Sequence, residues 1–186
     1  MGTLKFLIVL MVFMLSACVQ VPVNSDSRMS NLAVTSVWDM STKFTSGTSY
    51  SISPQHLKSV ARETGEIKNA YQRYADGIKA NLNAHGFQEQ TDAKLAQLHV
   101  RFMLALSEDL DDQTISEQFG ITPGLQDNQE FSKGSILISI TQADTGQRVW
   151  HGAIQGFVQE DATEQEREQR RRYVLNMVLA QFHKPH

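Results

Sequence analysis

Few side chains in this 186-residue sequence could do chemistry, and their spacing narrows what each could do. The single thiol is Cys18, directly behind the apolar run Phe6–Leu15 and the small residues Ser16-Ala17. One cysteine makes neither an internal disulfide nor a cysteine-built metal site. Six histidines (His56, His85, His99, His151, His183 and His186) show no H-x₃-H or H-E-x-x-H spacing. Only such spacing would set two imidazoles on one helix face, so surface or interfacial histidines are expected rather than a metal site. His99 and His151 both fall on strands and would be neighbours if those strands pair. The stretch Ser107–Glu130 has no Lys or Arg and carries Asp109, Asp111 and Asp112, oxygen donors of the kind Ca²⁺ takes. It lacks the glycine and the closing glutamate of an EF-hand, and a solvated loop is expected. Arg167, Arg170, Arg171 and Arg172 could meet anionic lipid, but Glu164, Glu166 and Glu168 precede them at helical pairing distance. No G-x-S-x-G, P-loop or dinucleotide fingerprint is present. The expectation is no catalytic residue, no metal and no cofactor.

The apolar run, with Lys5 ahead of it and small residues closing it, has the layout of a secretory signal. It is about half the ~20 residues a helix needs to span a membrane. Leu15-Ser16-Ala17-Cys18 looks like the lipobox of bacterial lipoproteins, which implies cleavage between Ala17 and Cys18 and lipidation of Cys18. Each buried CH₂ contributes ~0.8 kcal/mol, so two or three acyl chains such as palmitate would hold the protein to a bilayer almost permanently. Val19, not Asp, follows the cysteine. By resemblance to Gram-negative lipoproteins, that implies the outer membrane, with the domain facing the periplasm. Residues 1–17 are thus expected to be a signal peptide, 18–32 a lipidated tether and 33–186 one domain. The full chain carries a formal −3, and losing Lys5 makes it −4, which argues against nucleic acid as a partner.

The elements that must position everything else follow from periodicity. Val34–Trp38 and Thr48–Ile52 are short β-rich runs. Ser53-Pro54 has the look of a helix N-cap followed by proline, and Leu57 through Leu82 keeps one face apolar, with Gly65 able to break or bend the helix. His85-Gly86-Phe87 fits a Schellman stop. Leu98–Leu106 alternates as a strand with one core face, and Thr114–Phe119 could make a helical turn. Gly134–Thr141 and Gln147–Val158 form a hairpin across Asp144-Thr145-Gly146, with Trp150 inward and Gly152 and Gly156 marking close approach by a backbone. Thr163-x-x-Glu166 is a capping box opening a last helix, which Pro185 stops. The sum is an α+β domain: a mostly antiparallel sheet of four to five strands with two helices packed on one face.

Phe119-Gly120-Ile121-Thr122-Pro123-Gly124, Lys133-Gly134-Ser135-Ile136-Leu137-Ile138, Asp144-Thr145-Gly146 and Val149-Trp150-His151-Gly152 together resemble the bacterial lipoproteins of domain-of-unknown-function family 4136. The spacing Asp39…Phe44…Tyr50 and the Gly86-Phe87 stop are similar as well. Ser139 and Gln97 stand where the resemblance leads one to expect acids, and His151 where arginine is usual. The resemblance implies the fold and the lipid anchor and brings no assigned activity.

With the helices on one face, the other is left to His99, Arg101 and Met103 together with Val149, His151, Ala153 and Phe157. Such a face is expected to dock an envelope protein partner, rimmed by Asp109–Asp112. The alternative is that the acidic loop or the tether folds over it. The expected function is a non-enzymatic binding or assembly module held to the membrane through Cys18. The alternative is a lipid-anchored hydrolase or small-ligand carrier whose site forms only in three dimensions.

Overall fold

The structure, a computed structural model, describes residues 31–56, 65–106, 110–121, 123–126, 128 and 131–184. Ala17, Cys18, most of the tether, the start of the expected first helix and Asp109 lie outside these. The element order is β1 (Leu32–Trp38), β2 (Ser49–Pro54), α1 (Gly65–Ala84), β3 (Gln88–Glu89), a 3₁₀ turn (Ala93–Leu95), β4 (Leu98–Leu106), α2 (Asp112–Phe119), β5 (Lys133–Gln142), β6 (Arg148–Phe157) and α3 (Glu164–Phe182).

The six strands form one sheet in the order β1-β6-β5-β4-β2-β3. Three neighbouring pairs are antiparallel, while β2 runs parallel to both β4 and β3. The expected α+β class holds, but the sheet is mixed and six-stranded, and there are three helices among the described residues. The parallel pairs arise because the chain leaves β2 through α1 and returns in the same direction as β3 and β4. Since β5 lies between β4 and β6, His99 and His151 are not strand neighbours.

Local signals place most elements. Gly86 is left-handed (φ +87°), Phe87 N–H donates to Leu82 O at 3.1 Å and Gly86 N–H to Asn83 O at 3.0 Å, the two Schellman bonds that end α1. Thr163 and Glu166 make a reciprocal capping box on α3. Pro54 is a departure: it ends β2 and does not open a helix. Odd-numbered β2 residues bond toward β4, as Gln97 N–H to Ser49 O and Gln55 N–H to Phe102 O show, so the Pro54 nitrogen faces the outer edge, where no amide is needed.

α1 and α3 cover one face. There Ile78, Leu82, Val174, Val178, Leu179 and Phe182 close over Tyr50, Val100, Phe102, Ile138, Ile140, Trp150 and Ile154. Trp150 is fully buried, and its ring lies across Gly152: a Cβ on Gly152 would stand 2.5 Å from that ring. The glycine therefore makes room for a neighbour's side chain, not for the backbone expected there. Gly156 likewise leaves space for Leu32 and Arg170.

Candidate functional site

The second face of the sheet carries the side chains singled out from the sequence, and it is built from three parts. In the middle is a small apolar core of Met103, Ala105, Leu137 and Ala153, covered by Leu110, Ile115 and Ile121, with Phe119 packed beside it. Ile115 and Phe119, four residues apart on α2, give that short helix its apolar stripe. Asp111 caps it, its carboxylate accepting from Thr114 N–H at 2.7 Å, and Gly120 ends it in the left-handed region (φ +72°).

Polar groups fasten each end of α2. At its start, the buried Lys133 ammonium donates to Asp112 Oδ2 at 2.8 Å and to Leu125 O at 3.2 Å. Gln155, also buried, donates to the other Asp112 oxygen and accepts from Leu125 N–H. Burial alone would raise the Asp112 carboxyl, but the hydrogen bonds from Lys133 and Gln155 and the lysine charge outweigh it and hold it below its ordinary value. At the other end, Asp39 accepts from Arg148 Nε and Nη2 at 3.0 and 3.1 Å and from His151 Nδ1 at 2.8 Å. Arg148 Nη1 also donates to Phe119 O at 3.4 Å, a cation at a helix C-terminus. Burial again pushes the Asp39 carboxyl up, and Arg148 and His151 bring it below its ordinary range.

His151 is the chemically most suggestive group here. A carboxylate only accepts, so Nδ1 carries a proton and Nε2 is the nitrogen left over. That Nε2 is buried and has no hydrogen-bond partner among the described residues. It looks at α2's end, where a Cβ on Gly120 would stand 3.9 Å from it. Ser139 sits directly across the strand pair from His151. An Asp–His pair can serve as a general base only when a substrate proton comes within hydrogen-bond reach. Neither of the two cavities described below is lined by His151 or Ser139.

Placement of the sequence-derived residues is therefore divided. Val149 (0 % exposed) and His151 (4 %) are buried, Phe157 is half-buried, His99 is half-buried and Arg101 is exposed. The expected open docking face is not continuous, because α2 and the chain after it close over the middle of it. Arg101 and His99 instead border a polar groove of about 410 Å³ with Ser51, Ser53, Lys79 and Thr91. His99 Nδ1 and Ser51 Oγ are 2.8 Å apart in it. Of the acidic trio, Asp111 caps α2 and Asp112 is paired with Lys133. Among the described residues, no three His, Cys, Asp or Glu side chains gather as a metal site would require. Asp39, Arg148, Lys133 and Gln155 were not foreseen as a set. The faint signal was a lysine and a glutamine inside strands otherwise rich in apolar residues.

On the helix face a cavity of about 700 Å³ opens where β5 and β6 present the paired glycines Gly134 and Gly156. Tyr71, Leu104, Ile136, Ile154 and Val174 line it, and Arg167, Arg170 and Arg171 stand around it. Arg170, lowered from its ordinary value by burial, donates to Phe157 O at 3.1 Å. His56 and Glu66, on either side of residues 57–64, both border it. At the far end of the same face, the His85 and His183 rings stack at 3.6 Å. His183 is pushed down to about 4, by burial first and then by His85. Among the described residues no helix is long and apolar enough to cross a membrane.

A model of a domain of unknown function, DUF4136, matches residues 34–182. No curated protein matches the chain at a significant level. Among solved structures, a DUF4136 family protein (BT2437) from Bacteroides thetaiotaomicron is 14 % identical, with a TM-score of 0.50 over 82 % of this chain and 96 % of that one. A PDZ domain protein from Parabacteroides distasonis is 10 % identical, with a TM-score of 0.52 over 82 % of this chain and 36 % of that one. A PelC dodecamer from Paraburkholderia phytofirmans is 10 % identical, at 0.47 over 83 % and 96 %. At these identities the first two likenesses describe the fold alone.

Proposed function

This chain belongs to the DUF4136 family, and from that premise we propose that it is a lipid-anchored outer-membrane protein whose domain is a binding or assembly module in the periplasm. The observation that carries the binding half is how the reactive groups of the second face are engaged. Asp39, Arg148 and His151 hold one end of α2, and Asp112, Lys133 and Gln155 hold the other. Their hydrogen bonds position a helix over a small core, a structural task. The anchoring half is supported by Leu15-Ser16-Ala17-Cys18 behind its apolar run. Cys18→Ala should leave the domain folded and free it from the membrane fraction. A mutant chain that still sediments with membrane would refute the anchor.

A second reading, a carrier of a small ligand, is favoured by the cavity of about 700 Å³. That volume lies within the range of ligand pockets, and apolar walls with arginines around them suit an acyl chain bearing an anionic head. The check is native mass spectrometry of the protein taken from membranes in mild detergent. A carrier retains a bound acyl species, and Ala70→Trp, which fills the cavity wall, loses it.

A further inference from the structure

The two outer edges of the sheet are guarded very differently. One edge is closed off: β3 has only two residues, one of them Glu89, and beyond it β2 ends at Pro54, which has no amide to offer. Short strands, charges and proline are the usual protection of a sheet edge. β1, at the other edge, has none of these. Its seven residues, Leu-Ala-Val-Thr-Ser-Val-Trp, include no charge and no proline, and they pair with β6 without a bulge.

The register says which of its backbone groups look outward. Asp39 N–H donates to Val149 O, and the antiparallel ladder alternates, so Ala33, Thr35 and Val37 bond inward to β6. Leu32, Val34 and Ser36 then turn their amides and carbonyls to the free edge, where they meet no partner among the described residues. On the second face, Val37 is 41 % exposed beside that edge.

We infer that β1 is a self-association edge and that its occupant is β1 of a second copy of this chain, joined antiparallel about a two-fold axis centred on Thr35. In that register Val34 of each subunit exchanges both backbone hydrogen bonds with Ser36 of the other. Ala33 faces Val37, covering its exposed side chain, and Thr35 faces Thr35, so no like charges are opposed. Asp39 lies near Asn31 of the other copy, which keeps the two carboxylates at opposite ends. Pairing β1 with the far edge of another copy would build an open filament, but β3 and Pro54 give a seven-residue strand nothing to run along. Only the isologous arrangement uses the whole of β1, and it closes on itself as a dimer. This inference depends on neither the anchor nor the cavity.

The test uses the full chain in detergent, with mass read by light scattering. The unchanged protein should be a dimer. Val34→Pro removes an outward amide and no inward bond, and it should weaken dimerisation roughly tenfold for the two hydrogen bonds lost per dimer, with little change in melting temperature. Thr35→Lys and Thr35→Glu should each be monomeric alone and dimerise when mixed. Thr35→Cys should oxidise to a covalent dimer, because directly opposed residues of a non-hydrogen-bonded pair lie within disulfide reach. The unchanged chain, with Cys18 alone, should not, and Val37→Cys should crosslink only with Ala33→Cys. A monomeric unchanged chain overturns the inference, whether the edge is left open or covered by residues 1–30. So does an assembly that crosslinks as readily through Val37→Cys as through Thr35→Cys.

Discussion

The two faces of the sheet solve the same problem by opposite means. Under α1 and α3 the contact is mainly apolar, and aromatic rings of Trp38, Phe44, Phe87, Trp150 and Phe182 pack in one cluster with centroids 5.3 to 6.4 Å apart. Under α2 the apolar contact is a handful of residues, and charged groups do the holding at both ends. A helix of eight residues cannot bury enough surface to hold itself down. Ion pairs fix its position instead, and partner removal from such pairs is costly even where the pair itself adds little net stability. The lesson is that burial supplies stability on one face, while on the other polar geometry supplies placement.

The strongest attempt to break that contrast is Trp150→Ala. It should cost about 3–5 kcal/mol in denaturant unfolding, since the ring is fully buried and spans Gly152. Ile115→Ala, at the fully buried position of α2, should cost about 2 kcal/mol. Equal losses at the two positions would mean that the faces are not different in kind.

Acid separates the faces further. His183, at the end of the helix face, titrates near 4 when folded and near 6.5 when unfolded. Between those values the unfolded chain binds the proton and the folded one does not, so the contribution is complete above about 6.5 and erodes as pH falls toward 4. His183→Gln should flatten the melting temperature across that window. Asp39 and Asp112 on the second face have folded values below 3.8, so their contribution is complete above 3.8 and is lost only as pH falls below it. Asp39→Asn should remove part of that deeper acid loss and leave the His183 window untouched. The smallest effect is expected from Arg101→Ala, on the exposed part of the second face, within about 0.5 kcal/mol. A large loss there would extend the polar fastening to β4.

The helix face was largely legible in the sequence. Leu82-x-x-x-Gly86-Phe87 and Thr163-x-x-Glu166 each act through neighbours a few residues away, and each appears as read; Leu98–Leu106 is the expected strand, but it buries Met103 and Ala105 on its second face as well and leaves Leu106 exposed. β3 was not legible, because two residues become a strand only by lying along β2. Ser53-Pro54 misled, since the same dipeptide that opens a helix also ends an edge strand. The second face was the least legible. Asp39 is far along the chain from Arg148 and His151, and only the antiparallel pairing of β1 with β6 brings the aspartate to them. Thr114–Phe119 was visible as a single helical turn, but the helix opens at Asp112 and its position over Met103, Leu137 and Ala153 is a product of tertiary contact.

The register of β1 also has a consequence in time. Leu32 meets Gly156 and Trp38 meets Trp150, so the first strand to be synthesised has its ladder partner near the end of the chain. Closing so long a loop is slow, and contacts of high sequence separation form late. The β5–β6 hairpin and α3, all local in sequence, can assemble without β1. During synthesis the uncharged β1 therefore waits unpaired until β6 has emerged. That interval is when a chaperone would need to hold it, and lengthening the interval should raise aggregation before it lowers the stability of the finished fold.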